Sequence, residues 1–443
     1  MTTTWLPEIR NALEGIVPSI LATADVDGIP NVSLISHVQY VDPDHVALSY
    51  QFFNKTRRNL LATRLASVTV VDPDTNAQYR LTLEYLETQT SGPLFEIMRA
   101  KLAGIASHSG MQDVFRLLGS DVFRVREIEP VVSEVIARPM KRNALAAARR
   151  SCEQFSRASD MGELFDTLLA CLQQHFGIEH AMVLMLDQVS KRLYTVSSRG
   201  YPFSGIGSEV GLGDGVIGVA AAQRVPIRIG HMTSQYTYRA AVLDSARAAG
   251  LEWECANAIA FPGLEAPQSQ IAVPILCEDQ TMGVLFAEST EPNQFGYDEE
   301  DALTLISELV SARVALLQKE ETAERMQPAP TGNATAGKAI RLRHYRVDNS
   351  VFVDDVYIIR GVAGAILWKL AREHAQSGRV AFTNRELRLD PALRLPDYID
   401  NLEARLLLLQ RRLSERGAGI VIDKCGRGRF RFLVEGKLLL EET

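Results

Sequence analysis

A chain of 443 residues with 46% hydrophobic and 23% charged side chains is ordinary globular material, long enough for about three domains. Five scattered cysteines (Cys152, Cys171, Cys255, Cys277, Cys425), without a CxxC pair, argue against a disulfide or zinc framework. The net charge of −7 hides a split: residues 340–443 hold 19 Lys and Arg against 14 Asp and Glu, or +5, whereas the rest holds 28 against 40, or −12. Such a tail suits an anionic partner. The first five residues have no basic or apolar leader pattern, and no run of about eighteen apolar residues occurs, so the expectation is a cytoplasmic protein outside the membrane.

In chain order, residues 6–16 suit a short helix closed by Gly15 and Pro18, and strands follow to about residue 72. Residues 46–53 read as a strand that delivers a polar cationic turn, 54–59. There Lys55, Arg57 and Arg58 supply charge, Thr56 a hydroxyl, and Asn54 and Asn59 amides, a donor mixture that suits a phosphate dianion. A solvated basic turn is the plain alternative. Tyr79, Leu81, Leu83 and Tyr85 alternate as a half-buried strand within 77–88. Phe95, Met98, Leu102 and Ile105 recur at helical spacing, and 123–128 is a closing strand before Pro130 and Pro139.

Four of these features together resemble the FMN-binding split barrel of the pyridoxamine-phosphate-oxidase type over roughly residues 5–130: the strand and turn LATADVDGIP at 21–30, the strand VSLIS at 32–36, the acidic turn DPD at 42–44, and the cationic run ending at Asn59 and Leu60. The resemblance implies a β-rich domain that binds flavin at a dimer interface. By position it assigns the FMN phosphate to Lys55, Thr56 and Arg58 and puts Ser33 and Gln51 nearer the ring edge, with Asn59 a further cofactor-binding residue. Thr56 stands where many relatives place a second Lys or Arg. A related branch binds haem, which makes His37 and His108 alternative axial ligands; an empty barrel is the third option.

Residues 141–155 are Ala-rich and free of breakers, a connecting helix. A helix over 161–176 and a strand over 181–186 follow, and then GLGDGVIG at 211–218, whose glycines permit positive φ and close backbone approach. The glycine pattern is not a dinucleotide fingerprint, because no βαβ unit surrounds it. Strands at 269–276 and 282–287 precede a long helix from residue 297, acidic at its start, with Leu303, Ile306, Val310, Val314 and Leu317 in one stripe. Together these segments resemble a GAF domain. The stripe suits the domain's own core, but in that family such a helix commonly pairs with its copy, so a dimer contact is the preferred reading. Residues 229–261, with His231, Tyr236, Tyr238, Trp253 and Cys255, suit the lining of a small-molecule cavity. Glu252 and Glu254 beside Cys255 disfavour a thiolate.

Residues 319–339 read as a linker, and the last hundred resemble the winged-helix effector domain of response regulators. Strands at 351–353 and 356–359, a helix at 362–373 and Thr383 with Glu386 as a capping box lead to a recognition helix over 396–415 and a terminal hairpin over 420–432. Arg405, Arg411 and Arg412 on the helix, with Lys424, Arg427 and Arg429 on the wing, are the expected phosphate contacts. Asn401 and Arg405, four apart, are the expected base readers. Four consecutive leucines, Leu406 to Leu409, leave at least one expected at the surface.

The expected fold class is multidomain α+β: a split β-barrel at 1–138, a connecting helix at 139–160, an α/β GAF domain at 161–318, a linker at 319–339 and a winged helix at 340–443. The domain order suggests a homodimeric one-component sensor and transcriptional regulator that answers a small-molecule or redox signal and binds DNA. The alternative is an FMN-dependent oxidoreductase with regulatory appendages. No general acid or base constellation stands out near the barrel site, and no catalytic or metal-ligating residues are assigned. The leucine run also admits a C-terminal domain used only for protein contacts.

Overall fold

The computed structural model describes residues 5–13, 19–35, 38–50, 54–92, 94–95, 97–99, 102, 117–138, 141–230, 259–322, 339–391, 393, 402–426 and 428–443. The chain opens with a 3-10 helix, Leu6–Leu13, that buries Leu6, Ile9, Ala12 and Leu13. Seven strands then form one antiparallel sheet: β1 (Ser19–Ala24), β2 (Pro30–Ile35), β3 (Val38–Asp42), β4 (His45–Tyr50), β5 (Leu65–Val71), β6 (Gln78–Gln89) and β7 (Gly119–Val131). Their order is β2, β1, β5, β6, β7, β4, β3. The expected alternation in β6 holds, with Leu81, Leu83 and Tyr85 facing the core. Each fully buried leucine contributes about 2 kcal/mol of transfer free energy. Of the helix expected over 94–106 only a few positions are described; Met98 and Leu102 are buried with Ala47 and Leu117.

The segment after β4 departs from expectation. Asn54–Thr63 is a helix, not a turn, because the run holds no Gly or Pro and its Leu60 finds the barrel core. Arg64, at φ 58°, ends it by donating its amide to the Leu60 carbonyl (2.9 Å).

The second sheet comprises β8 (His180–Asp187), β9 (Arg192–Arg199), β10 (Glu209–Gly211), β11 (Ile227–Ile229), β12 (Ser269–Cys277) and β13 (Gln280–Ser289), ordered β10, β9, β8, β13, β12, β11. Every neighbouring pair is antiparallel, so the glycine-rich segment enters no βαβ unit and the dinucleotide reading is excluded. It opens the helix Gly215–Gln223, which covers one sheet face. A Cβ on Gly218 would lie 2.2 Å from the Gly211 carbonyl oxygen, so only glycine allows this turn. Helices Ala144–Phe155, Met161–Cys171 and Tyr297–Thr322 cover the other face. The connecting helix is thus part of this core. The stripe Leu303, Ile306, Val310, Val314 and Leu317 is buried there as well, which corrects its reading as a dimer contact.

Residues 340–443 form a third unit. β14 (Ile340–Tyr345), β15 (Ser350–Val353) and β16 (Val356–Ile359) make a sheet that β20 (Leu438–Glu442) joins parallel to β14. Between them come helix Gly361–Ser377, the short β17 (Ala381–Thr383), helix Asn384–Arg388, helix Leu402–Glu415 and the hairpin β18 (Ile420–Gly426) and β19 (Arg429–Val434), with β17 paired to β19. The capping box forms as read: Thr383 Oγ1 accepts from the Glu386 amide and Glu386 Oε2 from the Thr383 amide, both at 3.2 Å. Among the described residues no helix is long and apolar enough to cross a membrane.

Candidate functional site

Five of the expected ligand residues, Ser33, Lys55, Thr56, Arg58 and Asn59, lie on β2 and the 54–63 helix. Thr56 points inward, where its Oγ1 accepts from Asn31 Nδ2 (2.9 Å) and lies 3.3 Å from Ser33 Oγ. Asn59, also buried, donates to Thr23 Oγ1 (3.2 Å). Lys55 and Arg58 remain exposed on the outer side of the same helix, Lys55 in the first turn, where the dipole favours an anion, and Arg58 one turn on. Gln51, His37 and His108 lie outside the described residues.

Arg57, counted above among the phosphate donors, is committed elsewhere. It pairs with Asp121 on β7 and lies over the Tyr50 ring, 4.4 Å from its centroid. Asp121 also accepts from Thr88, so a buried polar cluster fills this end of the barrel. Nothing local in the sequence marked Asp121. The cavity beside it is lined by Leu48, Ser49, Tyr50 and Thr56, and the buried Ser49 hydroxyl has no hydrogen-bond partner among the described residues. Lys55 and Arg58 thus make a cationic outer face on this helix, while the hydroxyls of Thr56, Ser33 and Ser49 lie on its inner side.

In the GAF unit, residues 231–258 of the segment expected to line a cavity, including Cys255, lie outside the described residues. On the same sheet, Glu288 at the end of β13 is buried and accepts from the Leu264 amide (2.7 Å) and Gln270 Nε2 (3.0 Å). Burial outweighs these donors and pushes its carboxyl up to about 7.

The described cations expected to contact DNA, Arg405, Arg411, Arg412, Lys424 and Arg429, are buried or half-buried. Arg405 is buried and reaches Asp187 of β8 (3.1 Å). Arg411 donates to Asp166 (2.7 Å) and to the Val196 carbonyl (2.7 Å). Arg412 donates to the Ile358 carbonyl of its own unit (3.0 Å), and Lys424 lies 3.6 Å from Asp160. Burial works against the Asp160 carboxylate, but the Glu163 amide and Lys424 prevail and hold its carboxyl below the ordinary value. Arg429 is half-buried on β19; Asn401 and Arg427 lie outside the described residues. Leu406 to Leu409 are all buried, which corrects the expected exposure.

Comparison with known proteins agrees with this division. Residues 6–126 match the family model described as pyridoxamine 5'-phosphate oxidase, and residues 158–315 match that of the GAF domain. Similar solved structures include a free methionine-R-sulfoxide reductase from Neisseria meningitidis in complex with its substrate, at 17% identity, 40% of this chain, 91% of that chain and a TM-score of 0.32. An FMN-binding protein from Syntrophomonas wolfei is 19% identical over 29% of this chain and 88% of its own, with a TM-score of 0.25. The GAF domain of an Acinetobacter phosphoenolpyruvate-protein phosphotransferase is 18% identical over 42% of this chain and 100% of its own, with a TM-score of 0.31. No curated protein matches the chain. The chain therefore carries a pyridoxamine 5'-phosphate oxidase-like domain at its N-terminal side and a GAF domain in its middle.

Proposed function

We propose that this chain is a one-component sensor and transcriptional regulator, in which the split barrel and GAF domain govern a winged-helix unit that binds duplex DNA. The observation that carries this reading is the order of elements in 340–443: a leading sheet, a first helix, a capping-box helix, the 402–415 helix and a terminal hairpin. That order suits insertion of a helix into the major groove with a wing on the backbone. Asn401 and Arg405 would then meet base edges, while Arg411, Arg412, Lys424, Arg427 and Arg429 would meet phosphates.

At the barrel, Lys55 and Arg58 would hold the phosphate of FMN, with Thr56, Ser33 and Asn59 fixing the corner behind them and Gln51 nearer the ring. A bound flavin would supply a redox- or light-responsive centre. A homodimer belongs to the same reading. Ile20, Val32 and Leu34 form an exposed apolar row across the paired β1 and β2, a surface that suits a second copy.

The absorption spectrum of the purified protein, with mass identification of whatever heat releases, tests the sensor half. Flavin bands and the mass of FMN are the expected result. A Soret band would replace FMN by haem and direct attention to His37 and His108, and a colourless protein would overturn the cofactor assignment. For the output half, duplex binding that weakens with salt and falls further on Arg427→Ala with Arg429→Ala is expected.

A further inference from the structure

The 402–415 helix is buried on more sides than its own domain requires. Leu402, Leu406, Leu409 and Leu413 recur at steps of four and three and form the stripe that an isolated domain would bury. On a helical wheel Leu407, Leu408 and Arg411 lie on the opposite side, the side that a groove-reading helix must leave open. Here that side is covered by the GAF domain. A Cβ on Gly162 would lie 3.0 Å from Leu407 Cδ1, and one on Gly207 3.7 Å from Leu408 Cδ1, so the leucines fill spaces left by two GAF glycines.

Charge follows the same division. Four GAF carboxylates meet four C-terminal cations: Asp187 with Arg405 (3.1 Å), Asp166 with Arg411 (2.7 Å), Asp160 with Lys424 (3.6 Å) and Glu209 with Arg360 (2.7 Å). The buried apolar residues of the two domains join in one cluster across this contact, and a cavity lined by Arg192, Tyr194, Glu209, Tyr357 and Arg360 lies beside it.

We propose that the open face of the 402–415 helix has the GAF domain as its resident partner, and that the chain is shown here in a closed, autoinhibited state. Asp160 and Asp166 occupy cations that would otherwise take phosphates, Asp187 occupies the base-reading Arg405, and Leu407 and Leu408 are withdrawn from solvent. A groove and the GAF surface compete for one face. The regulatory consequence rests on the DNA-binding reading above; the contact itself does not.

Two full-length variants test it. Gly162→Cys with Leu407→Cys should form a disulfide under mild oxidation, mapped by mass spectrometry and absent from either single variant, and so lock the closed state. Asp166→Asn with Asp187→Asn removes two of the competing charges while keeping an amide oxygen to accept from Ser197 Oγ and from the Val189 and Ser190 amides. Binding of a random-sequence duplex at low salt, followed by anisotropy, should rise about tenfold in the neutralised variant and be lost in the locked one until reductant is added. Failure of the disulfide to form would overturn the closed state whatever DNA does. Equal DNA binding by parent, locked and neutralised proteins would overturn autoinhibition and leave the DNA reading standing. If the disulfide forms and no variant binds DNA, the DNA reading fails and autoinhibition with it.

Discussion

Arg411 and Asp166 stand 245 positions apart in the chain and 2.7 Å apart in the fold. Their pair is one visible end of the contact between the GAF domain and the C-terminal unit. Asp166 is largely solvated, so the ion pair itself contributes under about 1 kcal/mol. Arg411 also donates to the Val196 carbonyl and buries its aliphatic stem, which the carboxylate does not. Arg411→Ala should therefore destabilise by about 1–2 kcal/mol and Asp166→Asn by less, as read from urea unfolding of the full chain. Equal losses would mean that the ion pair, and not the carbonyl anchor, holds this corner.

Glu288 gives the GAF core a pH dependence. Its carboxyl is raised from 4.5 to about 7 in the fold, so between these values the folded chain binds more protons than the unfolded one. Its contribution is fully present below about 4.5 and is lost as pH rises through about 7, a span of about 2–4 kcal/mol. Glu288→Gln should flatten the fall in stability across that window. Thermal unfolding at pH 5 and pH 8 checks the sign, since the variant should gain over the parent only at the higher value.

Thr56 stands where the resemblance to the split barrel implies a second cation, and its side chain is buried beside Asn31 and Ser33. Thr56→Lys should destabilise the barrel by about 1–3 kcal/mol, because an ammonium there is desolvated and crowded. An unchanged melting temperature would show that the lysine swings out beside Lys55.

Lys55 and Arg58 are exposed, so replacing both by alanine should leave the melting temperature within about 2 °C of the parent. Their effect should appear in ligand choice. Relative to riboflavin, which lacks the phosphate, affinity for FMN should drop at least about tenfold. Equal weakening for both flavins would move the phosphate away from this helix.

The local chemistry of the chain was legible without coordinates. Thr383 and Glu386 spell a capping box within four residues, Leu81, Leu83 and Tyr85 alternate as a barrel strand must, and the glycines at 211–218 announce a turn that no Cβ can enter. These signals are short-range, because caps, pleats and turns are decided by neighbours within a few positions. The helical nature of residues 54–63 was misread for the same reason in reverse: a strand ending in cations looks like a turn until Leu60 finds a core to bury in.

What surrounds each functional side chain was decided by the tertiary structure. The sequence names Arg405, Arg411 and Lys424 as cations of the C-terminal unit, but their carboxylates, Asp187, Asp166 and Asp160, belong to another domain and carry no spacing that relates them. The run Leu406 to Leu409 is a surface defect for a helix with one partner and an ordinary packing solution for a helix with two. Periodicity along a chain reports how many faces of an element are apolar; only the packed fold determines what covers each one.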